Sequence, residues 1–313
     1  MTVKTLPRQD LAERLRGPGI PLRCGALLMR LGTSLPELVD PIALLYADYP
    51  LGDDNDVPDF DARVEPVPRW RSPLHPSAST VVDGRAVFDS FRRSQALPMF
   101  EWVMNWCVFT RPNQYLLLHS AVVETGGLGL VLSGDPGAGK STLAAALVSR
   151  GWRLFSDEVG MIRPGSRQLL ALPRPIGLKN DSIDLIRSDW PLATIGPSTP
   201  GTRKGIVAHV RPPADSVARA DQPATPRWIV FPRFEAGATP EVRRVSRAEA
   251  LLRLGEQAFN YSMLGDAGFR TLCDVVDGCD CYQIRFGSLS DALACVRSFA
   301  EVEPALSAAN VLS

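Results

Sequence analysis

Gly134-Asp-Pro-Gly-Ala-Gly-Lys-Ser141 decides the fold of this 313-residue chain. It fills every fixed position of the pattern G-x-x-x-x-G-K-[ST]. The apolar run Leu128-Gly-Leu-Val-Leu-Ser133 precedes it, and the helix-forming run Thr142-Leu-Ala-Ala-Ala-Leu-Val148 follows it. A strand, a glycine-rich loop and a helix in this order build a phosphate cradle. Without a Cβ, the loop glycines let backbone N–H groups turn inward as a concave nest for phosphate oxygens. The helix aims the positive end of its dipole at the same place. The expected nucleotide contacts are Gly134, Asp135, Pro136, Gly137, Ala138, Gly139, Lys140, Ser141 and Thr142. Lys140 supplies a cation for the β- and γ-phosphates, and the Ser141 hydroxyl is a ligand for Mg²⁺. The competing reading, a glycine-rich turn that binds nothing, has no need of all four fixed positions.

The bulk composition is that of an ordinary globular protein, 45% hydrophobic and 22% charged. A formal net charge of zero argues against bulk attraction to nucleic acid or membrane. No apolar run approaches the ~20 residues needed to span a bilayer. The amino-terminal Met-Thr-Val-Lys-Thr-Leu-Pro lacks the apolar core of a signal peptide, so a cytoplasmic location is expected. The six cysteines are scattered, and Cys279-Asp-Cys281 has no second pair or histidine at metal-ligand spacing. Buried thiols are expected there rather than a zinc site.

The length predicts two units, with a boundary near residue 110. In the first, Leu22 to Leu31 reads as a strand or a short helix, and Pro36 to Tyr46 as a helix with proline near its start. Residues 52 to 76 read mainly as turns and exposed loop. Thr80-Val-Val-Asp-Gly-Arg-Ala-Val-Phe88 is a hairpin signature. Gln95 to Phe109 reads as a helix with Trp102 and Trp106 packed on its apolar side. From Tyr115 onward, successive strands lead into the phosphate loop, and Gly151 caps the helix that follows. Trp152 to Ile162 begins a second buried strand ending in acids. Residues 195 to 226 read as mobile or functional loop. Trp228 to Phe231 and Cys281 to Phe286 read as strands, Ser246 to Phe259 as a capped helix, and Ser290 to Val302 as a closing helix.

Phosphoryl transfer needs more than a cradle: an acid to hold the metal, and a base for a hydroxyl acceptor. Asp157-Glu158 stand sixteen residues past Ser141, after the apolar segment Leu154-Phe155-Ser156. Such strand ends line the ligand crevice of an α/β sheet. His119, inside a leucine-rich strand, is open between catalytic and structural readings. Two segments mix cations with Gly or Pro, namely Arg174-Pro-Ile-Gly-Leu-Lys179-Asn180 and Thr202-Arg203-Lys204-Gly205. Arg174, Lys179 and Lys204 suit a phosphate or an anionic substrate, and ordinary surface charge is the alternative.

The order of these elements, His119-Ser, the phosphate loop, then Arg150-Gly-Trp-Arg-Leu-Phe-Ser-Asp-Glu158, resembles the kinase domain of the HPr kinase/phosphorylase family. That family carries a histidine before its loop and a pair of acids shortly after the following helix. Pro173-Arg-Pro-Ile-Gly-Leu-Lys-Asn180 and Gly201-Thr-Arg-Lys-Gly205 make the chain most similar to the HPr-kinase-related kinase A group, over about residues 112 to 300. The resemblance implies an α/β class of α+β character, with a mixed curved sheet of phosphoenolpyruvate-carboxykinase type around the loop helix. A smaller amino-terminal α+β region would occupy 1–110 and the kinase domain 111–313. It further implies ATP and Mg²⁺ as cofactors and a serine hydroxyl as acceptor. Asp157 becomes the base, Glu158 with Ser141 and Asp157 the metal shell, and His119 a partner of the acids. Because the second acid is Glu where the founding family has Asp, the division of roles between Asp157 and Glu158 stays open.

Residues 1 to 110 do not match the founding family's amino-terminal domain, and its later HPr-binding signature is absent from this sequence. HPr itself is therefore not implied, nor is phosphorylase activity. A protein or peptide acceptor, such as a carrier protein or a ribosomal peptide, is implied, and a homo-oligomer is compatible. The expectation is thus an ATP- and Mg²⁺-dependent serine kinase. Its rivals are a small-molecule kinase on the same scaffold, a nucleotide-binding regulatory module and a degenerate scaffold. Retention of Lys140, Ser141, Asp157 and Glu158 together speaks against the last.

Overall fold

The computed structural model describes residues 1–68, 70 and 75–300. The amino-terminal part contains helix α1 (Arg8–Arg16), strands β1 (Ile20–Cys24) and β2 (Leu27–Thr33) and helix α2 (Pro36–Leu45). Strands β3 (Phe60–Pro66), β4 (Ser77–Val82), β5 (Arg85–Ala86) and β6 (Phe91–Arg92) and helix α3 (Ala96–Thr110) complete it. The sheet order is β1-β2-β3-β4-β5, with β6 also on β4. Residues 22–31 form neither one strand nor a helix but a hairpin, turning at Gly25 with Leu22 opposite Met29. The stretch expected to be loop contains β3, in which Phe60, Ala62 and Val64 are buried and Asp61, Arg63 and Glu65 are less so. Two-residue alternation was written there among the charges. The Asp83-Gly84 turn of the β4–β5 hairpin has positive φ at both residues, as a tight primed turn requires.

The remainder is built on strands β7 (Leu116–Thr125), β8 (Leu128–Ser133), β9 (Arg153–Ser156), β10 (Val159–Ile162) and β11 (Leu169–Leu170), with helix α4 (Lys140–Val148) after β8. Next come β12 (Ile176–Lys179), α5 (Asp181–Asp189), β13 (Thr199–Thr202), β14 (Gly205–Val210) and α6 (Ala214–Ala218). Strands β15 (Thr225–Phe234) and β16 (Glu241–Arg244), helices α7 (Arg247–Glu256) and α8 (Tyr261–Asp277), strand β17 (Asp280–Phe286) and helix α9 (Leu289–Ala300) close the described chain. The expected end of the last helix, Val302, lies outside the described residues. The main sheet has the order β11-β10-β7-β8-β15-β17-β16, with β9 also on β7. Strands β8, β15 and β17 are parallel, whereas β7 runs against β8, β9 and β10. The sheet is therefore mixed, as expected.

Helix α4 is buried on nearly all sides, with Leu143 to Val148 inaccessible or almost so. The reason is its position between the main sheet and the small sheet β12-β14-β13, which share one apolar cluster around it. Helices α7 and α8 cover the opposite face of the main sheet. Residues 195 to 226 are not one loop: Val207 to Val210 are buried and pair with β12, and α6 follows. Helix α8 is not marked by the sequence pattern, which Gly265 and Gly268 interrupt, and Gly265 marks a kink. Helix α7 begins as expected, with the Ser246 hydroxyl accepting from the Glu249 N–H. Leu117, Val159, Met161, Leu170, Leu172 and Val217 join the apolar cluster of residues 3–108, so the two parts share a continuous core.

Candidate active site

Strand β8 ends at Ser133 and α4 starts at Lys140, and the six residues between them curl over the helix end. Gly137 (φ +89°) and Gly139 (φ +94°) hold left-handed backbone that side chains with a Cβ rarely adopt. At Gly139 space is closed as well, because a Cβ would stand 3.1 Å from Phe286 Cζ. Lys140 Nζ donates to the carbonyl oxygens of Gly134 and Asp135, the latter at 3.1 Å. Burial lowers the Lys140 pKa; Glu158 and Asp157 act against this, and Lys179 adds to it.

Strands β9 and β10 follow one edge of β7, with Val122 opposite Ser156 and His119 opposite Val159, and the register shifts by one residue within β9, where Val123 faces Leu154. Asp157 and Glu158 occupy the break between them, where the ladder opens beside Ser120 and Ala121. The Ser156 hydroxyl secures the break by accepting from the Val159 N–H at 3.1 Å. Asp157 is only 3% exposed. Its Oδ2 accepts from the Gly177 N–H at 2.9 Å, while its Oδ1 is buried without a partner. Burial raises its pKa to about 7, aided by Glu158 and opposed by the Gly177 N–H, the Ser141 hydroxyl and Lys179.

For Glu158, burial also favours the neutral acid. The His119 hydrogen bond and the charges of Lys179 and Lys204 overcome it and hold the carboxyl below its ordinary value. His119 Nε2 lies 3.5 Å from Glu158 Oε2, and its Nδ1 is 3.1 Å from Gln257 Oε1. The two acids are thus pushed apart: one stays near neutrality, the other stays ionised.

Loop, acids, His119, Lys179 and Lys204 converge on one place. The two lysines come together through Asn180, whose Oδ1 accepts from the Ile206 N–H (3.0 Å) and whose Nδ2 reaches the Lys204 carbonyl (3.4 Å). Partial burial and Lys179 lower the Lys204 pKa, against Glu158. Arg174 is elsewhere. Its guanidinium is buried among Glu101 (2.8 Å), Asn105 and Tyr46 of the amino-terminal part. That side chain is spent on an ion pair rather than offered to a phosphate.

Four contributors were not singled out from sequence. Gly177 gives Asp157 its backbone N–H, Asn180 ties the two cationic segments, and Gln257 orients His119 from 138 residues away. His209 faces Gly177 across the β12–β14 ladder, buried, with Nδ1 unpartnered, and burial lowers its pKa. The segment Ile176 to Asn180 carried a signal in its mixture of glycine and polar residues. Gln257 and His209 carried none, because each becomes relevant only through long-range pairing.

The donors at this place fit a hard divalent cation. Asp157 has a buried oxygen without a partner, Glu158 is held ionised, and the Ser141 hydroxyl is adjacent to Asp157. Mg²⁺ commonly uses one or two carboxylates together with a hydroxyl, waters and phosphate oxygens. No group of three or more His, Cys, Asp or Glu side chains forms a metal cage among the described residues. The cysteines there are free, and burial pushes Cys279 up to about 12 and Cys281 up to about 11. No described helix is long and apolar enough to cross a membrane.

An HPr kinase/phosphorylase of Prosthecochloris aestuarii is 42% identical over 60 residues, 19% of this chain and 18% of that protein. One of Chlorobium limicola is 37% identical over 76 residues, 24% of this chain and 21% of that protein. The chain is related to the HPr kinase/phosphorylases. The matches span about a fifth of the length of these two relatives. No family model matches. Among solved structures, the Hpr(Ser) kinase/phosphatase of Coxiella burnetii aligns at 16% identity over 59% of this chain and 96% of that chain, with a TM-score of 0.27.

Proposed function

We propose that this protein is an ATP- and Mg²⁺-dependent kinase that transfers the γ-phosphoryl group to a hydroxyl, a serine of a protein or peptide. The observation that carries the reading is Asp157: a buried carboxyl with its pKa raised to about 7 and one oxygen unpartnered, beside the Ser141 hydroxyl of the phosphate loop. A base poised near the working pH is what activation of an alcohol requires. The mixed sheet with α4 buried at its centre supports a phosphoenolpyruvate-carboxykinase-like version of the P-loop fold. Relatedness to HPr kinase/phosphorylases supports a protein acceptor, since the names of those relatives describe action on a protein.

In this reading the loop N–H groups and Lys140 hold the triphosphate, and Lys179 and Lys204 face the γ end. Ser141 and Glu158 would hold Mg²⁺, which when bound neutralises charge on the phosphate oxygens, and Asp157 is left to act as the base. Asp157 accepts the proton of the acceptor hydroxyl as that oxygen forms its bond to the γ-phosphorus. The bond from phosphorus to the β,γ-bridging oxygen breaks, and ADP leaves with the electron pair. His119 keeps Glu158 oriented and ionised, so that Asp157 remains the acid with the higher pKa.

The test is transfer of labelled γ-phosphate from ATP to candidate carrier proteins and peptides, read by mass spectrometry of the acceptor. The wild type is expected to label a serine, and an Asp157→Ala protein to bind ATP without transferring. Undiminished transfer by that variant would remove Asp157 from the role of base. ATP hydrolysis with no acceptor labelled by any candidate would favour a nucleotide-binding regulatory module instead.

A further inference from the structure

We propose that Phe234 is the shelf on which the nucleobase stacks, a subsite that rests on the nucleotide reading above and deepens it. In the main sheet, β8 lies between β7 and β15. The acids and His119 stand on the β7 side, and Lys179 and Lys204 of the small sheet act on Glu158 there. The γ end of a bound triphosphate is therefore drawn to that side, and its α end and nucleoside leave over β15 and β17. These two strands are parallel to β8, and their carboxyl ends coincide, with Phe234 opposite Phe286. Ligands of open α/β sheets lie at such carboxyl ends.

Phe234 is 48% exposed at this rim, whereas Phe286 is buried. Both abut the phosphate loop: a Cβ on Gly139 would stand 3.1 Å from Phe286 Cζ and 3.8 Å from Phe234 Cβ. The two rings are tilted against each other with centroids 6.0 Å apart, so Phe286 backs the shelf from within. The frame is stiff. The Glu235 N–H donates to the Phe286 carbonyl at 3.0 Å, and the Ala238 backbone sits so close to Gly287 that a Cβ there would be 2.7 Å from its oxygen. An aromatic face presented on a fixed backbone at the nucleoside end of a phosphate cradle suits a flat π-system.

The test is calorimetric titration of the full chain with the non-hydrolysable ATP analogue AMP-PNP and, separately, with inorganic tripolyphosphate, both with Mg²⁺. Stacking on one aromatic side chain contributes ~1–3 kcal/mol per base, so Phe234→Ala is expected to weaken AMP-PNP about 5- to 150-fold. Tripolyphosphate binding should stay unchanged, which also shows that the variant is folded, and Phe234→Tyr should restore AMP-PNP affinity. Equal weakening of both ligands would overturn the shelf and make Phe234 a support for the loop. Unchanged AMP-PNP affinity in Phe234→Ala would overturn it too, while leaving the cradle intact. Failure of the wild type to bind either ligand would overturn the cradle and the shelf together.

Discussion

Glu101 and Asp157 are equally inaccessible, each 3% exposed, and their surroundings are opposite. Glu101 receives the Tyr46 hydroxyl at 2.9 and 3.0 Å on its two oxygens and the Arg174 guanidinium at 2.8 Å. Asp157 has one backbone N–H on one oxygen and a bare oxygen on the other side; the Ser141 hydroxyl and the charge of Lys179 help it less than burial and the neighbouring acid Glu158 oppose it. Burial costs both carboxylates solvation. In the first case a cation and hydroxyl offset that cost within the protein, and the cluster ties α3 to the segment ahead of β12. In the second the cost stands largely uncompensated, which is how a fold prepares a group for a ligand it does not itself contain. Burial alone therefore does not mark a functional acid; incomplete satisfaction does.

The sharpest way to break this comparison is to neutralise each acid without changing its shape. Asp157→Asn should reduce phosphoryl transfer by about 10²–10⁴-fold, the usual range for loss of a general base. Glu101→Gln, which touches no reacting atom, should alter it by less than about threefold. Single-turnover transfer assays on both proteins would check this. Similar losses in the two would mean that the amino-terminal cluster belongs to the reaction.

Sequence patterns reached one half of this contrast more readily than the other. The phosphate loop is a local object: eight contiguous residues contain the turn, the cation and the hydroxyl, so the pattern carries the chemistry. Asp157-Glu158 were legible because only a helix and a short strand separate them from the loop. By sequence Arg174 suits the same place, because it is charged and lies near Gly177. Its destination depends on α3, some seventy residues earlier, and no local pattern encodes that pairing. Gln257 and His209 stayed unread for the same reason. The β3 strand was obscured differently, since its charged alternate residues gave a stretch of alternation the appearance of loop.

A thermodynamic version of the comparison removes the cation instead of the acid. Arg174→Met keeps much of the side-chain volume but leaves Glu101 buried without its counter-charge. Breaking one side of such a pair costs about 3–5 kcal/mol. Urea denaturation should show a matching fall in unfolding free energy. An unchanged midpoint would indicate that Glu101 is relieved by solvent, and that the two acids differ less than their contacts imply.

The smallest expected effect concerns the stability that Asp157 withholds. In an unfolded chain its carboxyl titrates near ~3.9, whereas in the fold burial raises it to about 7. Between those values the native protein holds a proton that the unfolded chain has lost, so stability declines as pH rises from about 4 and levels off above about 7. Asparagine at this position carries no such charge and can still accept from the Gly177 N–H. In EDTA-containing buffer, Asp157→Asn should therefore match the wild type near pH 4 and exceed it at pH 8. Linkage over that interval sets a ceiling of about 4 kcal/mol; burying the neutral amide, with donors of its own to satisfy, takes back part of it, so the gain should be of the order of 1–2 kcal/mol, a few degrees in Tm. The difference in unfolding free energy between the two proteins at each pH cancels titration of the groups they share. A variant less stable than the wild type at pH 8 would mean that the ionised carboxylate is already compensated, and the contrast with Glu101 would collapse.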